Sequence, residues 1–288
     1  MKNLILCFIF LLLVPTSISN AQPFAAFDKA SEEVLNDPHD LAFGPDGMLY
    51  IADKFGSRIV VMDPETLTVE RVILEGKLPG VHDIAFAGDG SAAIAITSQG
   101  IVAVFPDLLG ANPQPSLTLA ASRTEGAAIH PDGTIYAMAG GFGQLIAYRG
   151  EEVVATAAGL SDAHDVAIDL EGNVWAADNF SRRLVKYSPS LEVLKVLDDP
   201  KYGFAGPRYM DVDPQGRLLV ADQDAHSILL IDPDAGESGE LLGVLGDGFP
   251  GKGPNQFDDP EGVVVRDGRI FIADSDNNRI VRYVSALF

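Results

Sequence analysis

The chain repeats itself, and the repeat leaves few folds open to it. Six segments align on sight, opening with Pro-His-Asp-Leu-Ala-Phe at 38–43, Val-His-Asp-Ile-Ala-Phe at 81–86, Thr-Glu-Gly-Ala-Ala-Ile at 124–129, Ala-His-Asp-Val-Ala-Ile at 163–168, Pro-Arg-Tyr-Met-Asp-Val at 207–212 and Pro-Glu-Gly-Val-Val-Val at 260–265. Each soon reaches a tight turn such as Pro45-Asp46-Gly47, Pro131-Asp132-Gly133 or Asp267-Gly268, where glycine supplies the positive φ that hairpins need. Apolar alternation then predicts second strands at 48–53, 134–139, 173–178, 217–222 and 269–274. Third strands are expected at 58–62, 183–187, 228–231 and 279–283, and more polar fourth strands at 69–74, 152–157, 192–197 and 240–245.

Four short antiparallel strands recurring about every 40 residues form one blade of a ring-shaped array. The expected fold is therefore all-β: a six-bladed β-propeller over residues 22–288. The last repeat has no fourth strand before Phe288, while the stretch 27–36 is strand-like and belongs to no blade. Donating it to the last blade closes the ring and covers an otherwise open edge. A helical repeat is disfavoured, because no 3.6-residue apolar period is sustained after the N-terminal segment.

That segment reads as a leader. Lys2, an apolar run from Leu4 to Val14 and the small-residue stretch Ser19-Asn20-Ala21 make a signal peptide over residues 1–21 and a secreted or periplasmic product, with no membrane attachment after cleavage. The one cysteine, Cys7, lies inside the leader, so the mature chain is expected to have no disulfide, zinc-thiolate site or cysteine nucleophile. Asp and Glu number 41 against 20 Lys and Arg, a formal charge of -21. Nucleic acid is excluded as a partner on this ground, since phosphate backbones are bound by Lys and Arg that displace counterions. A small polar molecule or a protein partner remains, for a chain expected to act as a monomer.

In a propeller the inner strands all start at one end of the ring. The central mouth there is predicted to carry His39, His82, Glu125, His164, Arg208 and Glu261, one from each repeat. Turn chemistry demands none of these residues, so their convergence points to binding. Alternate blades give two triangles. His82, His164 and Glu261 form a metal set with open positions suited to a divalent ion, zinc or iron; His39, Glu125 and Arg208 form a catalytic set. The alternative is a water-filled channel lined by polar groups. Asp40, Asp83 and Asp165 each follow a histidine, and strand alternation turns them, and Tyr209 beside Arg208, away from the channel.

The pattern Pro-x-x-apolar-x-apolar-x-x-x-Gly-x-apolar-x-apolar-Ala-Asp-x-x-x-x-Arg-Ile, clearest over 260–280 and 38–59, resembles the NHL repeat and implies its propeller fold. The histidines that open inner strands in alternate blades are similar to the zinc site of peptidyl-hydroxyglycine amidating lyases. His82 and His164 match that site, whereas Glu261 stands where that family has a third histidine. Gly140, Lys54 and Asn179 replace its loop tyrosine and arginines. The Glu-Gly pairs at Glu125 and Glu261 resemble the metal-binding glutamate of gluconolactonase-type propellers. Three functions stay open: a binding propeller with a metal or small polar ligand at its mouth, a metal-dependent lyase or lactone hydrolase, and a protein-interaction platform with an inert channel. Elsewhere, Asp53, Asp178, Asp222 and Asp274 with Arg58, Arg182 or Arg183, and Arg279 are expected to brace loops. Trp175 is expected in the core and His130 in a structural turn. His226 and Gln223 lie in a mouth-facing loop.

Overall fold

The computed structural model describes residues 23–288, so the leader predicted over 1–21 lies outside the described residues. Six four-stranded antiparallel sheets are arranged as blades, each in simple up-and-down order. The innermost strands are Pro38–Phe43, Val81–Phe86, Thr124–Ile129, Ala163–Ile168, Pro207–Val212 and Pro260–Arg266, which define blades 1 to 6. Among the described residues helical structure is limited to three short 3₁₀ turns, at Thr97–Gln99, Gly140–Phe142 and Pro200–Tyr202. No helix among them is long and apolar enough to cross a membrane.

Closure follows the expected route. Ala26–Ala30 pairs antiparallel with Arg279–Val284 and becomes the outer strand of blade 6. Arg282 reinforces the seam through Asp28 at 2.6 Å, and Phe24 packs into the cluster between blades 5 and 6.

The core is divided into six apolar clusters, each held between two consecutive blades. Second strands are therefore covered on both faces. Leu49–Asp53, Val174–Asp178 and Leu218–Asp222 are buried along their whole length, which explains their nearly unbroken apolar character. Outer strands such as Val69–Ile73 face solvent and carry charge. Trp175 is buried between blades 4 and 5.

The strand-end aspartates clamp blades 1, 4, 5 and 6. Asp53, Asp178 and Asp274 accept from Arg58, Arg183 and Arg279 at 2.6 to 2.7 Å, and their second oxygens accept the backbone N–H of Asn36, Ser161 and Asp258. Asp222 has no arginine and takes three backbone donors, Ala205, Gly206 and Ala225, instead. His130 pairs with Asp132 in its turn at 2.7 Å.

One irregularity recurs at the start of every inner strand. Between its first pair and the next, each inner strand carries one residue more than its partner, as where Pro38 opposes Asp53 but Leu41 opposes Ile51. The same single-residue bulge appears in the other five blades. A bulge breaks strict alternation and re-aims side chains.

Candidate functional site

The six predicted residues do converge, and local backbone explains how. Asp37, Gly80, Arg123, Asp162 and Asp259 adopt positive φ immediately before the inner strands of blades 1, 2, 3, 4 and 6. This corner turns its own carbonyl toward the following bulge. In blades 2 and 4 that carbonyl receives an imidazole: His82 Nδ1 lies 2.8 Å from Gly80 O, and His164 Nδ1 lies 2.8 Å from Asp162 O. Thr97, whose hydroxyl donates to Thr124 O, offers its oxygen to His82 Nδ1 at 2.6 Å. Both Nδ1 atoms therefore carry hydrogen, and both Nε2 atoms face the axis.

The pairing differs from the two expected triangles. His82 Nε2 lies 3.0 Å and His164 Nε2 3.6 Å from the same oxygen, Glu125 Oε2. Glu261, predicted to join those histidines, is instead held by His39 and Arg208. His39 Nδ1 is 2.5 Å from Glu261 Oε2, and Arg208 Nη1 donates to Oε1 at 3.1 Å. Consecutive blades approach most closely at the axis, so each mouth residue meets neighbours before it meets alternate blades. His39 and His82 link the two halves, their rings edge-on at 4.4 Å.

All of these groups but Arg208, which is partly exposed, are almost wholly buried. Burial disfavours the anion of Glu125, but the contact with His82 and the fields of His82, His164 and His39 prevail and hold its carboxyl at about 2. Burial pushes His164 down to about 4, helped by Arg208 against Glu125 and Glu261. Its imidazole is thus neutral, with an Nε2 lone pair aimed at an anionic carboxylate. At His39, burial and Lys54 oppose protonation, but Glu261 and Asp37 outweigh them and raise it above its ordinary value. His39 and Glu261 are close enough to form an ion pair yet poorly aligned, and His39 Nδ1, Glu261 Oε2 and Arg208 Nε remain buried without a hydrogen-bond partner.

Sequence reasoning misjudged the layer beneath. Tyr209 does not turn away; it crosses the axis from blade 5, its ring 6.3 Å from His39 and 6.5 Å from His164. Its hydroxyl lies within donating distance of the carbonyls of both His82 and Glu125, at 3.3 and 3.2 Å. Asp40, Asp83 and Asp165 also face the channel, joined there by Asp211, below the tyrosine in a cavity of about 270 Å³. The bulge is the reason, since it brings two successive residues to the axis. Where blades 3 and 6 have glycine in the second place, a Cβ on Gly126 would collide with His164 O and one on Gly262 with His39 O. Sequence reasoning also gave no role to Asp37, and none at the mouth to Lys54, which contacts His39 Nε2 at 2.9 Å and Asp37 at 3.0 Å. The available signal was the pair of adjacent polar residues opening strands that are otherwise apolar.

Chemically, the ring offers two inward imidazole nitrogens around one carboxylate, and opposite them an Arg–Glu–His chain with unused donors and acceptors. Backbone carbonyls that lock an imidazole through Nδ1 and leave Nε2 free are a means by which proteins orient metal-binding histidines.

A model of the family described as Domain of unknown function (DUF5074) matches residues 22–201, and one described as NHL repeat matches residues 257–283. Both segments belong to the one ring, and residue 201 falls in the connection from blade 4 to blade 5. No curated protein matches the chain. Among solved structures, the fold is similar to virginiamycin B lyase from Staphylococcus aureus, at 11% identity and a TM-score of 0.62 over 86% of this chain and 95% of that one. It is also similar to an auxiliary nutrient binding protein from Bacteroides thetaiotaomicron, at 16% identity and a TM-score of 0.69 over 86% of this chain and 69% of that one. At such identities the likeness is one of fold.

Proposed function

The chain belongs to the family described as Domain of unknown function (DUF5074), and from that premise we propose that it is an exported propeller holding a divalent metal, zinc or iron, at its central mouth for binding a small polar ligand. His82 and His164 supply nitrogen and Glu125 the carboxylate, with Glu261 across the ring. One observation carries this reading: two histidines whose Nδ1 atoms are tied to backbone carbonyls present Nε2 to the same carboxylate oxygen, at 3.0 and 3.6 Å. The neutral His164 imidazole turns its Nε2 lone pair toward the anionic Glu125, a contact that is repulsive until a cation lies between them. A metal there leaves coordination positions open toward the mouth.

The test is elemental analysis of mature protein purified without chelators or a metal-affinity column, beside His82→Ala/His164→Ala. The expected result is a stoichiometric metal in the wild type that the variant lacks. Wild-type protein that stays metal-free after incubation with zinc and ferrous ions overturns the reading.

A second reading, a metal-dependent lyase or lactone hydrolase, draws on Arg208, whose buried Nε has no hydrogen-bond partner and suits a substrate's acceptor. A metal would supply Lewis-acid polarisation, Arg208 would steady a carboxylate or oxyanion, and His39 would move a proton. In that case Arg208→Ala keeps the metal and loses turnover. The exposed Phe55, Phe142 and Phe180 on mouth-side loops favour a third reading, in which a partner with an apolar face covers the mouth.

A further inference from the structure

We propose a second cation site, on the mouth face where blades 5 and 6 meet, in which His226, Asp258, Asp259 and Gln223 bind a divalent first-row transition ion. It uses none of the residues assigned to the central metal. His226 and Gln223 come from the loop between the second and third strands of blade 5, and Asp258 and Asp259 directly precede the inner strand of blade 6. One ligating atom from each of His226, Asp258 and Asp259 lies within 4.8 Å of the others. His226 Nδ1 is 3.7 Å from Asp258 Oδ1. This nitrogen accepts a long, 3.3 Å hydrogen bond from the Asp259 N–H, so it is the unprotonated nitrogen of the ring, and a bound cation would take over the lone pair that this weak bond now uses.

On so acidic a chain, two aspartates beside a histidine carry no meaning alone. Gln223 distinguishes this place. The residue is 9% exposed, and its Nε2 donates to Asp259 Oδ2 at 2.7 Å, which fixes the amide head against the cluster. The oxygen of that same head, Oε1, is buried and has no hydrogen-bond partner. A buried amide oxygen left unpaired costs about 1–3 kcal/mol, and a cation seated among the carboxylates removes that cost.

The charge balance points the same way. No lysine or arginine among the described residues forms an ion pair with Asp258, Asp259 or Asp276. The donor set is one imidazole nitrogen, two carboxylates and an amide oxygen. The imidazole selects a transition ion over magnesium or calcium, and the oxygens favour the harder members of the series, Mn²⁺ foremost.

The experiment uses His82→Ala/His164→Ala protein, so that the central ring lacks both of its inward imidazoles, and Mn²⁺ alone as the probe. Electron paramagnetic resonance should count a single bound Mn²⁺ per chain, with nitrogen modulation from one imidazole. Adding Asp258→Asn should weaken binding at least tenfold. Adding His226→Asn should abolish the nitrogen signal, which His130→Asn leaves intact. Gln223→Met, which removes the orphaned oxygen, should weaken Mn²⁺ binding without lowering the melting temperature. No bound Mn²⁺, or binding that Asp258→Asn leaves unchanged in a protein of native melting temperature, overturns the site.

Discussion

The channel has two polar layers built from neighbouring residues of the same strands, and they resolve their burial in opposite ways. At the mouth, His39, His82, Glu125, His164, Arg208 and Glu261 face one another, and three of their buried polar atoms find no hydrogen-bond partner. Below Tyr209, each carboxylate is spent on the fold. Asp83 accepts from Ala127 N at 2.6 Å, Asp165 from Met210 N at 2.7 Å and Asp211 from Val265 N at 2.8 Å. Each of these bonds ties one blade to the next. Buried polarity satisfied by backbone donors is architecture, whereas buried polarity left incomplete signals a missing partner. Both layers are acidic and axial, so only the accounting of donors and acceptors separates them.

The largest effect should come from removing the partition. Tyr209→Ala takes a fully buried aromatic out of the axis, and a cavity of that kind costs about 3–5 kcal/mol. It also joins the two layers into one passage. Urea unfolding measures the loss, and near-wild-type stability would mean that the tyrosine does not hold the blades together at their centre. A second comparison sets Asp165→Ala against His164→Ala, adjacent residues in one strand, both measured in chelator. The first strands the N–H of Met210 and of Val166 and should cost about 1–3 kcal/mol per buried group left unpaired. The second should cost less in stability and, assayed without chelator, fail to retain a metal. The reverse ranking would erase the distinction between a structural and a functional layer.

Much of this was legible in the sequence because the repeat states its period, its turns and its spare strand openly. The equivalent positions His39, His82, Glu125, His164, Arg208 and Glu261 could be read as a ring from that period alone, and so could the Asp53–Arg58 type of clamp. The pairing within the ring was not legible, because which neighbour a side chain reaches depends on how closely the blades approach at the axis. Nor was the bulge, since inner strands are buried on both faces and carry no clean alternation for an inserted residue to disturb. That one inserted residue is why Tyr209 and Asp83 were assigned to the wrong side. A run such as His82-Asp83, two polar residues together in a buried strand, is the trace it leaves.

The smallest effect is also the sharpest test of the lower layer, because its sign is fixed. Burial raises the carboxyls of Asp165 and Asp211 to about 7, from an ordinary value of 3.8, despite the backbone N–H groups that favour the anion. Between those limits the folded chain holds protons that the unfolded chain has released. The stability these two groups contribute is therefore complete below about pH 4, falls as pH rises toward 7 and is level above it, by at most about 1.4 kcal/mol per pH unit for each group. Asp165→Asn cannot titrate, so one share of that slope disappears, and its stability deficit against the wild type should be greatest at pH 5 and narrowest at pH 8. Urea unfolding at the two pH values decides it. A deficit that stays constant, or that widens toward pH 8, would show that Asp165 is ionised throughout and that the lower layer carries charge as the mouth does, leaving the two layers distinct in geometry alone.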